Sequence, residues 1–213
     1  MNWYTNRDLL KDACGIAATA TGDHDQLDMT LETVSRLIDD WIGHPLYPQV
    51  GTRYFTARDT QRLHLSTPLT GITALRTDAG GNGTYESTWA TGSYRLLPYN
   101  APLGSPPDPF WDIEVRQDST IVFPALVRRG VEIVGTWGHY DSRDISTAVL
   151  STTGGALDAT QANLTITGAS SLRAGHTILV DSEQIFVQEV SASGAGVGGQ
   201  VTAVRAQNGT TGA

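Results

Sequence analysis

The five histidines are the residues best suited to bind a metal or to transfer a proton, and their spacing supports neither role. They are His24, His44, His64, His139 and His176. No two of them lie at metal-ligand spacing on one helix, and the sequence contains no His-Glu-x-x-His or Cys-x-x-Cys motif. A zinc site would have to be assembled from distant segments. The sequence therefore predicts no metal site and no bound cofactor.

Acidic residues form two further patterns that could do chemistry. Asp23, Asp25 and Asp28 surround His24, but they lack the glycine and the closing glutamate of a calcium loop, and a solvated helix start explains them better. Four carboxylates lie along predicted strands, where two could meet across a sheet as in glycosidases: Asp112, Glu114, Glu132 and Glu183. Nothing singles out a pair. We expect no catalytic residues and a protein that is not an enzyme, while a hydrolase stays open as a third hypothesis.

Nucleotide and nucleophile motifs are also missing from the sequence. There is no G-x-S-x-G, no P-loop and no G-x-G-x-x-G that opens a helix. The glycine clusters at 80–83 and 194–199 lie between predicted strands, where hairpin turns are the expected structure. Cys14 is the single cysteine of the chain. No intramolecular disulfide can form, and we expect Cys14 to be buried by packing.

Composition and charge narrow the classes of function. The 213 residues are 39% hydrophobic, with 23 glycines and a formal charge of −8. This acidic balance argues against stable, sequence-specific binding of nucleic acid. It suits a surface past which DNA slides, because like charge prevents sticking. The chain lacks both an apolar run of the roughly 18 residues that span a membrane and a secretory signal, so we expect a soluble protein made in the cytoplasm.

The stretch 25–43 predicts the one long helix of the chain. Apolar residues at spacings of four and three predict its packing face: Leu27, Leu31, Val34, Ile38 and Trp41. Asp23 or Asp25 is expected to cap its start, and Gly43 fits the position just past its end. A shorter helix is predicted over 6–14, capped by Thr5 or Asn6.

After Pro45 the periodicity becomes alternating, which predicts strands separated by turns. The expected strands are 52–57, 62–66, 71–77, 84–90, 93–98, 112–117, 120–124 and 131–137, followed by four more between 160 and 213. We expect a helical pair in 1–45, packed on a β-rich body in 46–140 to form one domain. A linker at 141–159 and a small all-β domain at 160–213 complete an α+β protein.

Several exposed aromatic and charged residues are candidates for a subunit interface. Trp89 follows a glycine-rich hairpin and Trp111 follows a proline-rich segment, so both could anchor a neighbouring subunit. The adjacent pair Arg128 and Arg129 precedes a strand. Three acidic residues lie on the outer face of the long helix and could meet those arginines in a neighbouring copy or face passing DNA: Glu32, Asp39 and Asp40.

The order of elements and the residues at their joints resemble the head–tail connector proteins of long-tailed bacteriophages, also called adaptor or head-completion proteins. In that family the second of two N-terminal helices ends in an Ile-Asp-x-x-x-Gly step, which corresponds here to Ile38, Asp39 and Gly43. A Tyr-x-Leu-x-Pro strand and a final Gly-x-x-Gly strand follow, and here they are Tyr94–Pro98 and Val134–Gly138. The resemblance covers roughly residues 3 to 140.

The C-terminal segment departs from that family and resembles a small β-module of phage structural proteins. Its motifs are a Gly-x-x-Ile-x-x-x-x-Glu hairpin and an Arg-x-x-Asn-Gly-Thr ending. The matching residues are Gly175, Ile178, Glu183, Arg205, Asn208, Gly209 and Thr210. Connector relatives often close with a helix at this place in the chain.

The resemblance implies a structural virion protein without enzymatic activity. Members of the family form a ring of typically twelve copies below the portal protein, which extends the DNA channel and joins the capsid to a downstream neck or tail-completion protein. Double-stranded DNA passes through the lumen without specific binding, and no membrane is involved. The protein would be assembled in the host cytoplasm and reside in the virion neck. The alternative from the residues is a β-rich module that binds carbohydrate or a host surface through Trp89 and Trp111.

Overall fold

The computed structural model describes residues 2–104, 107–139, 151–152, 160–167, 172–191 and 199–212. They form two helices and two antiparallel sheets, which confirms the predicted α+β class. The chain divides into two compact units. The helix–sheet unit comprises Met1–Gly43 together with Arg143–Ala213, and the central unit comprises His44–Ser142. None of the helices in the described residues is both long and apolar enough to cross a membrane.

The two helices begin and end close to where their capping residues predict. Helix α1 covers Arg7–Ala13, and the Asn6 side chain accepts a hydrogen bond from the Leu9 amide at 2.9 Å. Helix α2 covers His24–Ile42 and follows Asp23, whose side chain makes no capping bond. Gly43 ends α2 with φ of +88° and donates its amide to the Asp39 carbonyl at 2.8 Å. Glycine suits this position because residues with a Cβ disfavour the left-handed region.

The sheet of the central unit is antiparallel and has the strand order β1-β6-β2-β5-β4, with β3 paired to the end of β2. Its strands are β1 (Gln49–Phe55), β2 (Arg62–Thr77), β3 (Ser87–Thr88), β4 (Tyr94–Leu97), β5 (Phe110–Val115) and β6 (Val131–Trp137). The strands expected at 62–66 and 71–77 are one long strand, because irregularities in its pairing with β5 and β6 carry it past Pro68. The strand expected at 120–124 does not form.

Two glycines near the end of β6 allow backbone segments to approach closely. A Cβ on Gly135 would lie 2.3 Å from the carbonyl oxygen of Gly71 on the neighbouring strand. Gly138 has φ of +122°, and a Cβ there would lie 2.3 Å from the carbonyl oxygen of Tyr47. Side chains are excluded at both positions by sterics. The Gly-x-x-Gly pattern therefore has a structural cause in this fold.

The sheet of the helix–sheet unit has the order β7-β8-β11-β10-β9. Its strands are β7 (Ser151–Thr152), β8 (Asn163–Thr167), β9 (Thr177–Val180), β10 (Glu183–Ser191) and β11 (Gly199–Gln207). The four strands expected in this region all form. One face buries a compact apolar cluster: Leu164, Ile166, Leu172, Ile185, Val187, Val201 and Ala203. The predicted linker at 141–159 lies outside the described residues except for β7.

The helical pair groups with the C-terminal sheet, which differs from the expected packing on 46–140. The Trp3 ring lies edge-on to Phe186 of β10, with 5.1 Å between the ring centroids. The Arg7 amide donates to the Ala174 carbonyl at 3.3 Å, and the Cβ position of Gly175 lies 2.6 Å from a Trp3 ring atom. These contacts join residues about 170 positions apart, which local periodicity does not predict. The helical segment therefore packs on the C-terminal sheet, next to Phe186 of β10.

Candidate functional site

A buried arginine fixes helix α2 to the rest of the helix–sheet unit. The Arg7 guanidinium binds Asp28 of α2 through two hydrogen bonds of 2.6 and 2.5 Å, and it binds Glu189 of β10 at 2.6 Å. Burial acts to lower the pKa of Arg7, but the hydrogen bonds to Asp28 and Glu189 outweigh it and raise the pKa. The guanidinium stays charged and joins α1, α2 and β10 at one point.

His24 and Lys11 complete this cluster. His24 contacts Arg7 at 2.9 Å through Nδ1 and the Nζ of Lys11 at 3.2 Å through Nε2. The Lys11 side chain is buried, and its Nζ donates to the carbonyl oxygens of Ala18 and Ala20 in the connector between the helices. Asp23, His24, Asp25 and Asp28 were expected to form a solvated start of the helix. Two of them instead make contacts within the protein, because Asp28 pairs with Arg7 and His24 lies 3.2 Å from Glu189. They act as a structural joint.

The buried face of α2 is rotated from the one that apolar spacing predicted. Leu31 and Ser35 are buried, while Leu27 and Ile38 are half-buried. Val34 and Trp41 were expected to pack, but they are 49% and 88% exposed. The rotation follows from polar contacts, because the Ser35 hydroxyl accepts from the Tyr4 amide at 3.2 Å and donates to the Leu31 carbonyl at 2.7 Å.

The outward rotation leaves apolar side chains of α2 in solvent beside a groove. Met29 is 71% exposed and Leu37 is 60% exposed. Both line a groove of about 520 Å³ that runs beside α2, with Trp3 and Phe186 also in its wall. Met29 and Leu37 are eight residues apart, so they lie about 12 Å apart along the helix. An unfilled apolar groove next to exposed apolar residues is typical of a protein interaction site.

Two of the three acidic residues proposed for an interface, Glu32 and Asp40, line this groove. Glu32 and Asp39 are partly used inside the protein. Glu32 accepts from the Trp3 indole at 3.0 Å. Asp39 accepts from the Tyr4 hydroxyl and pairs with Arg36 at 3.2 Å. Asp40 is exposed and lines the groove with Glu32. Helix α2 carries five carboxylates and one arginine, so the groove has an acidic rim.

The central unit presents a turn of opposite character at Pro124–Gly130. Leu126 is 77% exposed and Arg128 is exposed beside it. The turn sequence, PALVRRG, contains two cations and no carboxylate. The Arg129 guanidinium lies over the Tyr54 ring, 4.3 Å from its centroid, which holds that side chain against the sheet. The two candidate arginines are therefore not equivalent, and Arg128 is the better placed to contact a partner.

The backbone of this turn is constrained as well as exposed. Leu126 and Arg129 have φ of +66° and +52°, a region that costs a residue with a Cβ roughly 1–2 kcal/mol. The Leu126 amide donates to the Ala57 carbonyl at 2.8 Å, and the Arg129 amide donates to the Thr56 hydroxyl at 3.0 Å. Strained residues that surrounding bonds hold in place often mark functional positions.

The two tryptophans proposed as interface anchors do not form an exposed pair. Trp89 is 4% exposed, stacks on Phe123 at 4.6 Å and donates its indole N–H to the Thr77 hydroxyl at 3.1 Å. The prediction that Trp89 is exposed is wrong, because the hairpin folds it back onto the core. Trp111 is half-buried and lies edge-on to His44, with ring centroids 5.9 Å apart. The alternative of a carbohydrate-binding module thus loses one of its two aromatic residues.

Trp111 belongs to an aromatic cluster in the central unit that includes two histidines. The rings of His44 and His139 stack with 5.6 Å between centroids, and Trp111 lies 6.4 Å from His139. Burial lowers the pKa of His139 below its ordinary value of 6.5, and the neighbouring His44 lowers it further, while Asp108 acts in the opposite direction. The folded state therefore favours the neutral imidazole.

This pKa predicts that the central unit loses stability as the pH falls below about 6.5. The unfolded chain binds a proton at the ordinary pKa, whereas the folded chain resists it until the pH reaches the lowered value. The contribution of His139 to stability is fully present above pH 6.5. It is lost as the pH falls from 6.5 through the lowered pKa of the folded state. Urea unfolding at pH 7.5 and 5.0 measures the effect. His139→Phe should reduce the pH dependence, and an equal slope in this variant and in the wild type would contradict the assignment.

The side chains considered for catalysis and metal binding either lie apart from one another or form ion pairs with basic residues. Within the described ranges, no three His, Cys, Asp or Glu residues lie close enough to hold a metal ion. Asp112 pairs with Arg62 at 3.0 Å and with His64 at 3.1 Å. Burial acts to raise its pKa, but hydrogen bonds from Arg62 and His64 outweigh burial and lower it. Asp112 is thus held ionised, which does not suit a general acid.

The other carboxylates considered as an acid pair each have a different partner. Glu114 accepts from the Tyr99 hydroxyl at 2.7 Å, and Glu132 pairs with Arg76 at 2.8 Å. Cys14 was expected to be buried, but it is exposed at the C-cap of α1. Glu114 and Glu132 are therefore each held by a partner other than a second carboxylate.

The motif residues of the C-terminal module form a buried ion pair and a turn. Glu183 is fully buried, and its carboxylate accepts from the Arg205 guanidinium at 2.8 and 2.5 Å and from the Ala206 amide at 2.8 Å. Asn208 donates to the Gln184 side chain at 2.5 Å, and the Thr210 hydroxyl accepts from the Gln184 amide at 2.9 Å. The motif therefore fastens the end of β11 to the start of β10.

Comparisons with family models, with curated proteins and with solved structures find no match for this chain. The acidic residues of α2 and the pair Arg128 and Arg129 stay predictions from the sequence. Met29, Leu37 and Trp3 of the groove were not among the candidates. Met29 and Leu37 fall off the predicted apolar face, and only their eight-residue spacing on one side of a helix hinted at a second face.

Proposed function

We propose that this protein is a head–tail connector of a long-tailed bacteriophage, a structural virion protein without enzymatic activity. It would form a ring below the portal protein, extend the DNA channel and join the capsid to a neck or tail-completion protein. The observation that carries the proposal is a pair of unlike exposed surfaces on one chain. One is the acidic, apolar groove beside α2, and the other is the basic, apolar turn at Pro124–Gly130.

Two unlike surfaces support a ring more than they support a two-fold dimer. A dimer with two-fold symmetry uses the same patch twice, whereas a ring joins one patch to a different patch on the next copy. Apolar side chains at both surfaces, such as Leu37 and Leu126, supply the area that association removes from water. Opposite charges at the two surfaces set the direction in which copies join.

The residues that carry the resemblance to connectors have defined structural positions. Gly43 ends the second helix, Tyr94 is buried at the start of β4, and Gly135 and Gly138 permit close backbone contacts. The residues that the family pattern specifies therefore have structural roles in this fold. This agreement supports the proposal beside the surface argument.

The charge of the chain fits a channel through which DNA moves. A formal charge of −8 repels phosphates, so duplex DNA would pass without being retained. The location that follows is the neck of the virion, after assembly in the host cytoplasm. No membrane takes part in this function.

Mixing the purified chain with portal rings tests the function. We expect the chain to sediment with the portal and to elongate the portal channel in electron micrographs. A chain that stays in the supernatant as a monomer at every protein concentration, with and without portal, would contradict the proposal. Serum albumin, another acidic protein, controls for non-specific sedimentation.

A further inference from the structure

We propose that the groove of one copy receives the Pro124–Gly130 turn of a second copy. Leu126 would enter the groove beside Met29 and Leu37, and Arg128 would face Asp40. This interface rests on the ring proposed above and specifies its chemistry. The occupant of the groove is then a second copy of this chain.

Two apolar side chains that line the groove are largely exposed to solvent. Met29 and Leu37 are 71% and 60% exposed, although Trp3 and Phe186 lie beside them. The volume of about 520 Å³ suits a few inserted side chains. A leucine inserted there would bury apolar surface on both partners.

The turn has the shape and charge that the groove requires. Among the large apolar side chains that are exposed in the described part of the chain, Leu126 alone lies beside an arginine pair. The hydrogen bond from its amide to the Ala57 carbonyl fixes the backbone at this residue, and its side chain is 77% exposed. A preorganised anchor loses little conformational entropy on binding.

Local charge complementarity favours the arginine-bearing turn of a second copy as the occupant of the groove. The whole chain is acidic, so two copies repel each other unless a cationic surface meets a carboxylate. Arg36 is paired with Asp39 and donates to the Asn2 carbonyl, whereas Asp40 is exposed at the groove. Arg128 of the next copy supplies the missing positive charge.

The first test uses two variants that each remove one surface. Leu37→Asp disables the groove and Leu126→Asp disables the turn. Both side chains are exposed, and aspartate tolerates the positive φ at position 126, so folding should be kept. Each variant alone should fail to form rings. Their mixture should form a dimer of one chain of each kind, because only one interface can form, and native mass spectrometry detects it at twice 22.8 kDa.

The second test exchanges the charges. Asp40→Arg and Arg128→Asp should each weaken assembly by about tenfold or more, because like charges then face each other. Both changes in one chain should restore rings. Matched controls at other exposed positions should assemble normally: Leu103→Asp, Leu179→Asp, Asp12→Arg and Arg58→Asp.

The outcomes separate this interface from the ring function itself. If the wild type forms rings, alone or on portal, and Leu37→Asp or Leu126→Asp forms them equally well, the interface is wrong while the connector function stands. A mixture that stays monomeric, or a charge exchange without rescue, also overturns the interface. A wild type that remains monomeric with portal overturns both proposals.

Discussion

Replacing Arg205 with methionine is expected to destabilise the helix–sheet unit by about 3–5 kcal/mol, the usual cost of leaving a buried charge without its partner. Glu183 is fully buried and accepts two hydrogen bonds from the Arg205 guanidinium. Methionine fills a similar volume without donating to the carboxylate, which would lose both hydrogen bonds from the guanidinium while it keeps the one from the Ala206 amide. The loss should exceed that of any single ion pair on the surface, since exposed pairs contribute about 0–1 kcal/mol.

The double variant Arg205→Met with Glu183→Met provides the control. It removes both charges together, so at least half of the lost stability should return. Urea unfolding combined with hydrogen exchange of the β10 and β11 peptides measures the change in this unit. A loss below about 1 kcal/mol in Arg205→Met, or a double variant less stable than the single one, would show that the pair does not stabilise the sheet.

The second large effect is expected from Gly138→Ala, which should destabilise the central unit by roughly 2–6 kcal/mol. Alanine at φ of +122° is strained, which costs about 1–3 kcal/mol. Its Cβ would also lie 2.3 Å from the Tyr47 carbonyl oxygen, and overpacking of this kind adds about 1–3 kcal/mol. Gly138 is the last residue of the Gly-x-x-Gly pattern, so this variant also tests why that pattern requires glycine.

Gly51→Ala is the matched control in the same sheet. A Cβ at Gly51 meets no heavy atom within 4 Å, and its φ is not in the left-handed region. We expect a change of less than about 1 kcal/mol, because alanine there adds neither strain nor overlap. Equal unfolding midpoints for the two variants in urea would be incompatible with the steric explanation.

Local chemistry made the helix boundaries and most strands predictable. Asn6 caps α1 and Gly43 ends α2 because each satisfies a backbone group or a backbone conformation within a few residues. The four strands of the C-terminal sheet follow alternating patterns for the same reason. The segment 120–124 shares that pattern but forms no strand; the Phe123 amide makes one isolated bond to the Thr60 carbonyl. Pattern alone cannot tell whether a neighbouring strand is available.

Contacts between distant residues were not predictable. The face that α2 buries depends on Arg7, on Glu189 of β10 and on Tyr4, whose amide binds Ser35. Apolar spacing assigns Val34 and Trp41 to the interior because it ignores buried polar residues that have partners. The packing of the helix pair on the C-terminal sheet was also missed, because Trp3 contacts Phe186, which lies far away in the sequence.

The candidate site was partly visible in the sequence. The charge pattern made Asp40 and Arg128 candidates, because clustered charge of one sign can be recognised without knowledge of the fold. The groove was not visible, because its walls combine α2 with Trp3 and Phe186, which are about 180 residues apart. Trp89 was misplaced because a tryptophan after a glycine-rich turn can fold inward when its indole N–H finds an acceptor, here Thr77.

The most direct test of the connector function is the mass of the assembly that the chain forms on portal rings. Native mass spectrometry of the mixture should show one closed ring of a single copy number per portal, with twelve copies as the number that the family resemblance implies. Subcomplexes of fewer copies should disappear as the protein concentration rises. A chain of 22.8 kDa that remains monomeric at all concentrations and never adds to the mass of the portal would contradict the proposed function.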